Sequence, residues 1–190
     1  MADDPELFAE LYVAIGDLLE SLWITFLERY GEHYAICRFG DDLGFKTATM
    51  ISPQHLREYI LPWHQLYAEL AHRYNKLFLL HCCGNISAVM PDYAETVGID
   101  AKHSFEDVIQ PVEDFHRRWG HKMAAIGGVD IDILARRTEA DVVSRTKQIL
   151  EACAPRGGYA AGSGNSVTNY VPVDNYLAMI ETIHRFNGRM

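Results

Sequence analysis

The sequence predicts an α/β protein: a long N-terminal helix, then about five strand–helix units built on a parallel sheet. Three observations carry this reading. Leu7, Leu11, Ala14, Leu18, Leu22 and Phe26 recur at helical spacing. From Tyr34 onward, short apolar runs alternate five times with helical patterns. Those runs are apolar on both faces, as strands are when helices cover a parallel sheet. Two architectures fit, an open doubly wound sheet and part of a (β/α)8 barrel. No glycine-rich dinucleotide fingerprint follows the first strand, which weighs against a nucleotide-binding sheet.

Each element has a local cause. Asp4 can cap the first helix and Pro5 suits its first turn. Gly31 ends it. The first strand, Tyr34 to Phe39, runs into GDDLG. Ser52-Pro53 opens a helix that Pro62 should break or kink, because proline lacks the donor its turn needs. The helical pattern resumes from Trp63 to about Tyr74. KLFLLHCCGN is the second strand, followed by a helix through Met90, Tyr93 and Ala94 that ends at Gly98. IDAKHSF, MAAIGGVD and YAAGSGNS are the remaining strands. Their helices are Pro111 to Trp119, a helix opened by the capping-box pattern Thr138 to Asp141, and the closing VDNYLAMIETIHRF.

Composition narrows the function classes. The chain has 190 residues, 48% hydrophobic and 23% charged, enough apolar material for one sizeable core. A net charge of -9 argues against nucleic acid as a partner. The start MADDPELF is acidic, unlike a secretory signal, and no apolar run approaches the roughly 20 residues of a membrane helix. Cys37, Cys82, Cys83 and Cys153 form no spaced disulfide framework, so free thiols and a cytoplasmic setting are expected.

In both architectures function sits at the carboxyl ends of the strands. Every strand delivers polar groups there. They are Asp41 and Asp42, then His81, Cys82, Cys83 and Asn85, then His103, Glu106 and Asp107, then Asp130, and last Ser163 and Asn165. Blander roles compete for several of them. Asp42 could bond turn amides, His103 could be a satisfied core histidine, and Asp130 could cap a helix. Glu106 and Asp107 look like a solvated helix start. The His-x-Cys pair is sharper. Strand side chains alternate faces, so His81 and Cys83 share one face and Cys82 takes the other as a small core residue. An imidazole and a thiolate are two typical zinc ligands, but a catalytic zinc usually takes three.

GDDLG, ISPQHLREYILPWHQ, LHCCGNI, IGGVD and GGYAAGSGNSVTNYVP together resemble the uroporphyrinogen decarboxylase superfamily, which includes the cobalamin-dependent methyltransferases. The resemblance runs from about Ala35 to the C-terminus. It implies a (β/α)8 barrel of which this chain holds about five units. Residues 1–190 then read as a single domain, with helix 1–31 preceding residues 34–190 as the C-terminal part of the barrel. An open barrel exposes strand edges, which implies a homo-oligomer or a missing barrel half as partner.

The resemblance also implies chemistry. Superfamily methyltransferases hold zinc through the His-x-Cys pair and a cysteine on the last strand, whose position falls here on Asn165. In the decarboxylases a histidine occupies about that place, and the aspartate that holds the pyrrole nitrogens lies in a part of the barrel with no counterpart among these residues. The leading expectation is methyl transfer from a corrinoid to a small-molecule thiol, with a corrinoid protein as partner. Zinc would be held by His81 and Cys83, with Asp42, His103 and Asn165 as catalytic residues. Asp41, Asn85, Ser163 and Asp130 would bind substrate. The alternatives are a decarboxylase-like carboxy-lyase of tetrapyrrole biosynthesis and a non-catalytic truncated barrel serving binding or assembly.

Overall fold

Strand order separates the two architectures. The five strands are β1 (Ile36–Gly40), β2 (Leu77–His81), β3 (Ala101–His103), β4 (Ala124–Ile126) and β5 (Tyr159–Ala160). They pair in parallel in the order β1-β2-β3-β4-β5. A doubly wound sheet reverses its order at a switch point, whereas a barrel adds each strand beside the last. This is therefore a barrel wall, left unclosed between β5 and β1. The coordinates are a computed structural model, and residues 4–188 are described.

Helix α1 (Pro5–Tyr30) begins as its sequence dictates: Pro5 opens it and Asp4 Oδ1 accepts from the Leu7 N–H at 2.9 Å. It packs on the chain segment after β1, where Gly16 leaves room for the Trp63 ring that any Cβ would strike. The Tyr67 hydroxyl donates to the Gly16 carbonyl at 3.2 Å. The regular apolar stripe is not the face that docks. Tyr12, Leu19, Trp23, Ile24 and Leu27 turn inward, while Leu7, Leu11, Leu18 and Leu22 face solvent, Leu18 at 59% and Leu22 at 55% exposure.

After β1, α2 (Pro53–His55) passes through a π turn (Leu56–Ile60) into α3 (Leu61–Arg73). Pro62 lies in the first turn of α3, where a missing donor costs least, and the wider turn before it absorbs the break. After β2, α4 (Met90–Asp92) and a second π turn (Tyr93–Val97) end at Gly98 in the left-handed conformation. Next come α5 (Val112–Trp119), α6 (Ile131–Arg136) and α7 (Glu139–Cys153), the last with a complete Thr138–Asp141 capping box. Helix α8 (Val173–Phe186) closes the chain and packs on α7. No described helix is long and apolar enough to cross a membrane.

The core lies between sheet and helices. Cys37, Phe78, Leu80, Cys82 and Ala125 point into it from the strands and are at most 5% exposed. The opposite face looks into the would-be barrel interior. There Ile36 and Leu77 are exposed at the amino ends of β1 and β2, while His81 at the carboxyl end is buried.

A candidate metal centre at the strand tips

Paired positions on neighbouring strands lie about 4.8 Å apart. His81 and His103 are paired, and their ring centroids are 4.8 Å apart. Their Nδ1 atoms approach to 2.6 Å, and His103 Nε2 lies 3.3 Å from the Ser163 carbonyl. A carbonyl only accepts, so His103 Nε2 carries the proton and its Nδ1 is bare. The Nδ1–H of His81 then donates to His103, which leaves a lone pair on His81 Nε2. That atom faces Cys83 Sγ at 3.6 Å. Both rings are held neutral at neutral pH. Burial, then Arg38, lowers the His81 pKa, against the pull of Asp42. Burial takes His103 down to about 4 despite its hydrogen bond to Ser163.

Asp42 is brought in by two loops that touch backbone to backbone. Gly44 and Gly84 meet where any Cβ would collide, and Gly84 adopts φ 77°. The Cys83 N–H donates to Asp42 Oδ1 at 2.9 Å, and the Asn85 N–H donates to the Phe45 carbonyl at 2.7 Å. Donor atoms of Asp42, His81 and Cys83 consequently all lie within 4.8 Å of one another. Zinc bonds of about 2.0–2.3 Å in a tetrahedron place donors about 3.5 Å apart. The 3.6 Å between His81 Nε2 and Cys83 Sγ matches that spacing, and carboxylate, imidazole and thiolate form a donor set suited to zinc. The residues fit the metal.

Two further groups touch the Cys83 sulfur. Asn165 Nδ2 donates to it at 3.3 Å and Ser104 Oγ at 3.5 Å. Asn165, where the resemblance implies a second cysteine, thus donates to the sulfur of the cysteine already present. Ser163 Oγ donates to the Asn165 carbonyl at 2.7 Å, which steadies the last loop. Cys82 lies on the other face, fully buried, its thiol pushed up to about 12 by burial.

The cluster gathers Asp42, His81, Cys83, His103, Ser163 and Asn165, and the other expected site residues stand outside it. Asp41 turns to the buried His64 at 3.2 Å, and His64 in turn meets the Tyr93 hydroxyl at 2.7 Å. Asn85 Oδ1 accepts from the Ser87 N–H and hydroxyl. Asp130 caps α6 through Asp132 N, and its other oxygen accepts from Asp107 N, both at 2.7 Å. It also lines a cleft of about 640 Å³ that reaches the cluster at Asn165. Asp107 is no solvated helix start, because Arg145 grips it together with Glu113.

Three contributors were not read from the sequence. Ser104 gave no signal, since its reach to Cys83 depends on how β3 ends beside β2. His64 lies mid-helix, and only helix–sheet packing puts it behind Asp41. Arg38 sits on the interior face beside Leu79; period-two alternation from β1 could have found it.

A family model described as uroporphyrinogen decarboxylase (URO-D) matches residues 1–186. The chain belongs to the uroporphyrinogen decarboxylase family. Among curated relatives, the uroporphyrinogen decarboxylase of Nitrosospira multiformis is 27% identical over 78 residues, 41% of this chain and 21% of that protein. Among solved structures, a methyltransferase from Methanosarcina mazei superposes with a TM-score of 0.69 at 20% identity. The match covers 90% of this chain and 48% of that one. The chain thus spans about half of that barrel-like structure and about a fifth of the curated relative.

Proposed function

We propose that this family member is a zinc-dependent methyltransferase that moves a methyl group from a corrinoid to a small-molecule thiol. The observation that carries the reading is the convergence of Asp42, His81 and Cys83 donor atoms within 4.8 Å. Asp42 takes the place of the third ligand, the missing cysteine. Bound zinc supplies Lewis acidity, which lowers the pKa of an acceptor thiol toward neutrality.

The chain's own groups do the rest. His103 and Ser163 hold the proton on the far side of His81, so Nε2 is presented as a lone pair. Asn165 and Ser104 donate to Cys83 and spread its charge. The cleft beside Asn165 is the route by which acceptor and corrinoid approach. A second reading, a decarboxylase-like lyase, is favoured by the curated relative and by Arg38, which offers one carboxylate partner on the interior face.

We also propose that the interior is completed by another polypeptide seated on the outer stripe of α1 and the free edge of β1. In the purified protein that occupant is a second copy.

Metal analysis tests the central reading. Purified protein is expected to hold one zinc, with affinity falling more than about 100-fold in His81→Ala and Cys83→Ala and methylation of a thiol by methylcobalamin lost with it. Turnover of a porphyrinogen without zinc would establish the lyase instead. Neither metal nor turnover would leave a binding or assembly role.

A further inference from the structure

Lys102 lies on the other face of β3 from His103, paired with Leu80 and Ala125 in the layer beneath the helices. It is 4% exposed. Its Nζ donates to the Ser104 carbonyl at 2.6 Å and lies 4.5 Å from the Phe105 ring centroid and 5.7 Å from that of Phe115. The rings stabilise part of the charge but leave two of the three ammonium hydrogens unmatched. Lys102 forms no ion pair among the described residues. A buried ammonium without a counter-ion is costly, and buried charges are normally paired.

Lys102 also lines a small cavity of about 70 Å³ between the loops that follow β2 and β3. Ser87, Ser104 and Gln110 contribute polar groups, Ile86, Phe105 and Ile109 apolar ones, and Glu106 a carboxylate. That volume accommodates about two waters, enough for a planar carboxylate head. It is separate from the metal cluster, with Ser104 as the wall between them: its carbonyl faces Lys102 and its hydroxyl faces Cys83.

We propose that this cavity is a binding site for a small carboxylate, with Lys102 as counter-ion. The proposal is independent of the metal chemistry. The carboxylate can be a free short acid or the terminal group of a longer molecule, and chain length separates these sources. A free-acid site binds formate and acetate best, whereas a site for a tail binds butyrate more tightly than acetate.

Calorimetric titration of the full chain with acetate, at constant ionic strength in chloride, is the test. Saturable binding is expected. Lys102→Met should weaken it roughly tenfold or more, as loss of a charge-assisted hydrogen bond implies. Lys147→Met, an exposed lysine on α7, should leave it unchanged. Should Lys102→Met fail to fold, Ile109→Trp blocks the cavity and keeps the ammonium, and is expected to abolish binding. Glu106→Gln should strengthen it by removing a like charge from the lining. Acetate binding that survives both Lys102→Met and Ile109→Trp, or that disappears on zinc removal or in Cys83→Ala, would overturn the proposal. No binding at all would overturn it equally.

Discussion

Two regions of this barrel wall treat burial in opposite ways. At the tips of β2 and β3, polar side chains are buried and almost every one has a partner: His81, His103, Ser104 and Cys83 hold one another. At α1 and the free edge of β1, large apolar side chains stand in solvent. Leu18, Leu22, Phe26, Tyr34 and Ile36 are all exposed and border a groove of about 490 Å³ or lie beside it. The two regions belong to one chain. They differ in whether neighbouring strands exist on both sides. β2 and β3 each have two, and β1 has one.

Buried polar groups are tolerated only where geometry completes their hydrogen bonds. Exposed apolar groups in a continuous stripe mark a surface that another chain covers. The first region is finished by the sheet itself, and we propose that a partner finishes the second.

The largest expected effect tests the open region. Replacing Leu18 and Leu22 together by Glu should dissociate the self-associated protein. Each buried leucine contributes about 1.5–3 kcal/mol, so the pair shifts the dissociation constant more than about a hundredfold. Helix content by circular dichroism should not change, because both side chains face solvent. Wild-type protein that sediments only as a monomer would remove the partner proposal and leave the comparison without its second half.

The next effect tests the packed region through pH. Burial lowers the Lys102 pKa from 10.5 to about 8. Between those values the unfolded chain binds more protons than the folded one, so this lysine makes stability rise with pH. Lys102→Met removes that dependence. The variant should be more stable than wild type below pH 8, and its advantage should shrink by about 3 kcal/mol as pH climbs toward 10.5. Parallel denaturation curves at pH 7 and 9.5 measure it. An advantage that is constant with pH would mean the ammonium is already paired.

The smallest effect asks whether the tip network is a device or only packing. His103→Gln removes the aromatic Nδ1 acceptor that orders the His81 proton. Zinc affinity should fall about 10–100-fold, the usual cost of losing such an outer partner, with little change in thermal stability of the metal-free protein. Equal losses in both would reduce His103 to a filler of the core.

Much of this architecture was legible residue by residue. Asp4, Pro5, Pro62, Gly98 and the Thr138–Asp141 box act within a few residues of themselves, so their roles follow from local geometry. Alternation along a strand put His81 and Cys83 on one face and Cys82 on the other. Less was legible at the site. Asp42 was one carboxylate among several, and its selection over Asp41 depends on where the Gly44–Gly84 contact turns each side chain. His103 was expected in a catalytic role, and its contact with His81 follows from the β2–β3 register, which no local pattern gives. The apolar stripe on α1 did not disclose which side would dock.

The sequence by itself determined the alternation of strands and helices, their caps, and the pairing of an imidazole with a thiol two residues on, because those interactions span only short stretches of chain. Only the tertiary structure decided the barrel-type strand order, the β2–β3 register that stacks His81 on His103, and the burial of Lys102 beside a small cavity. Those outcomes depend on contacts such as those between residues 22 and 82 positions apart at the strand tips, and no local preference encodes the energy of meeting a particular distant partner.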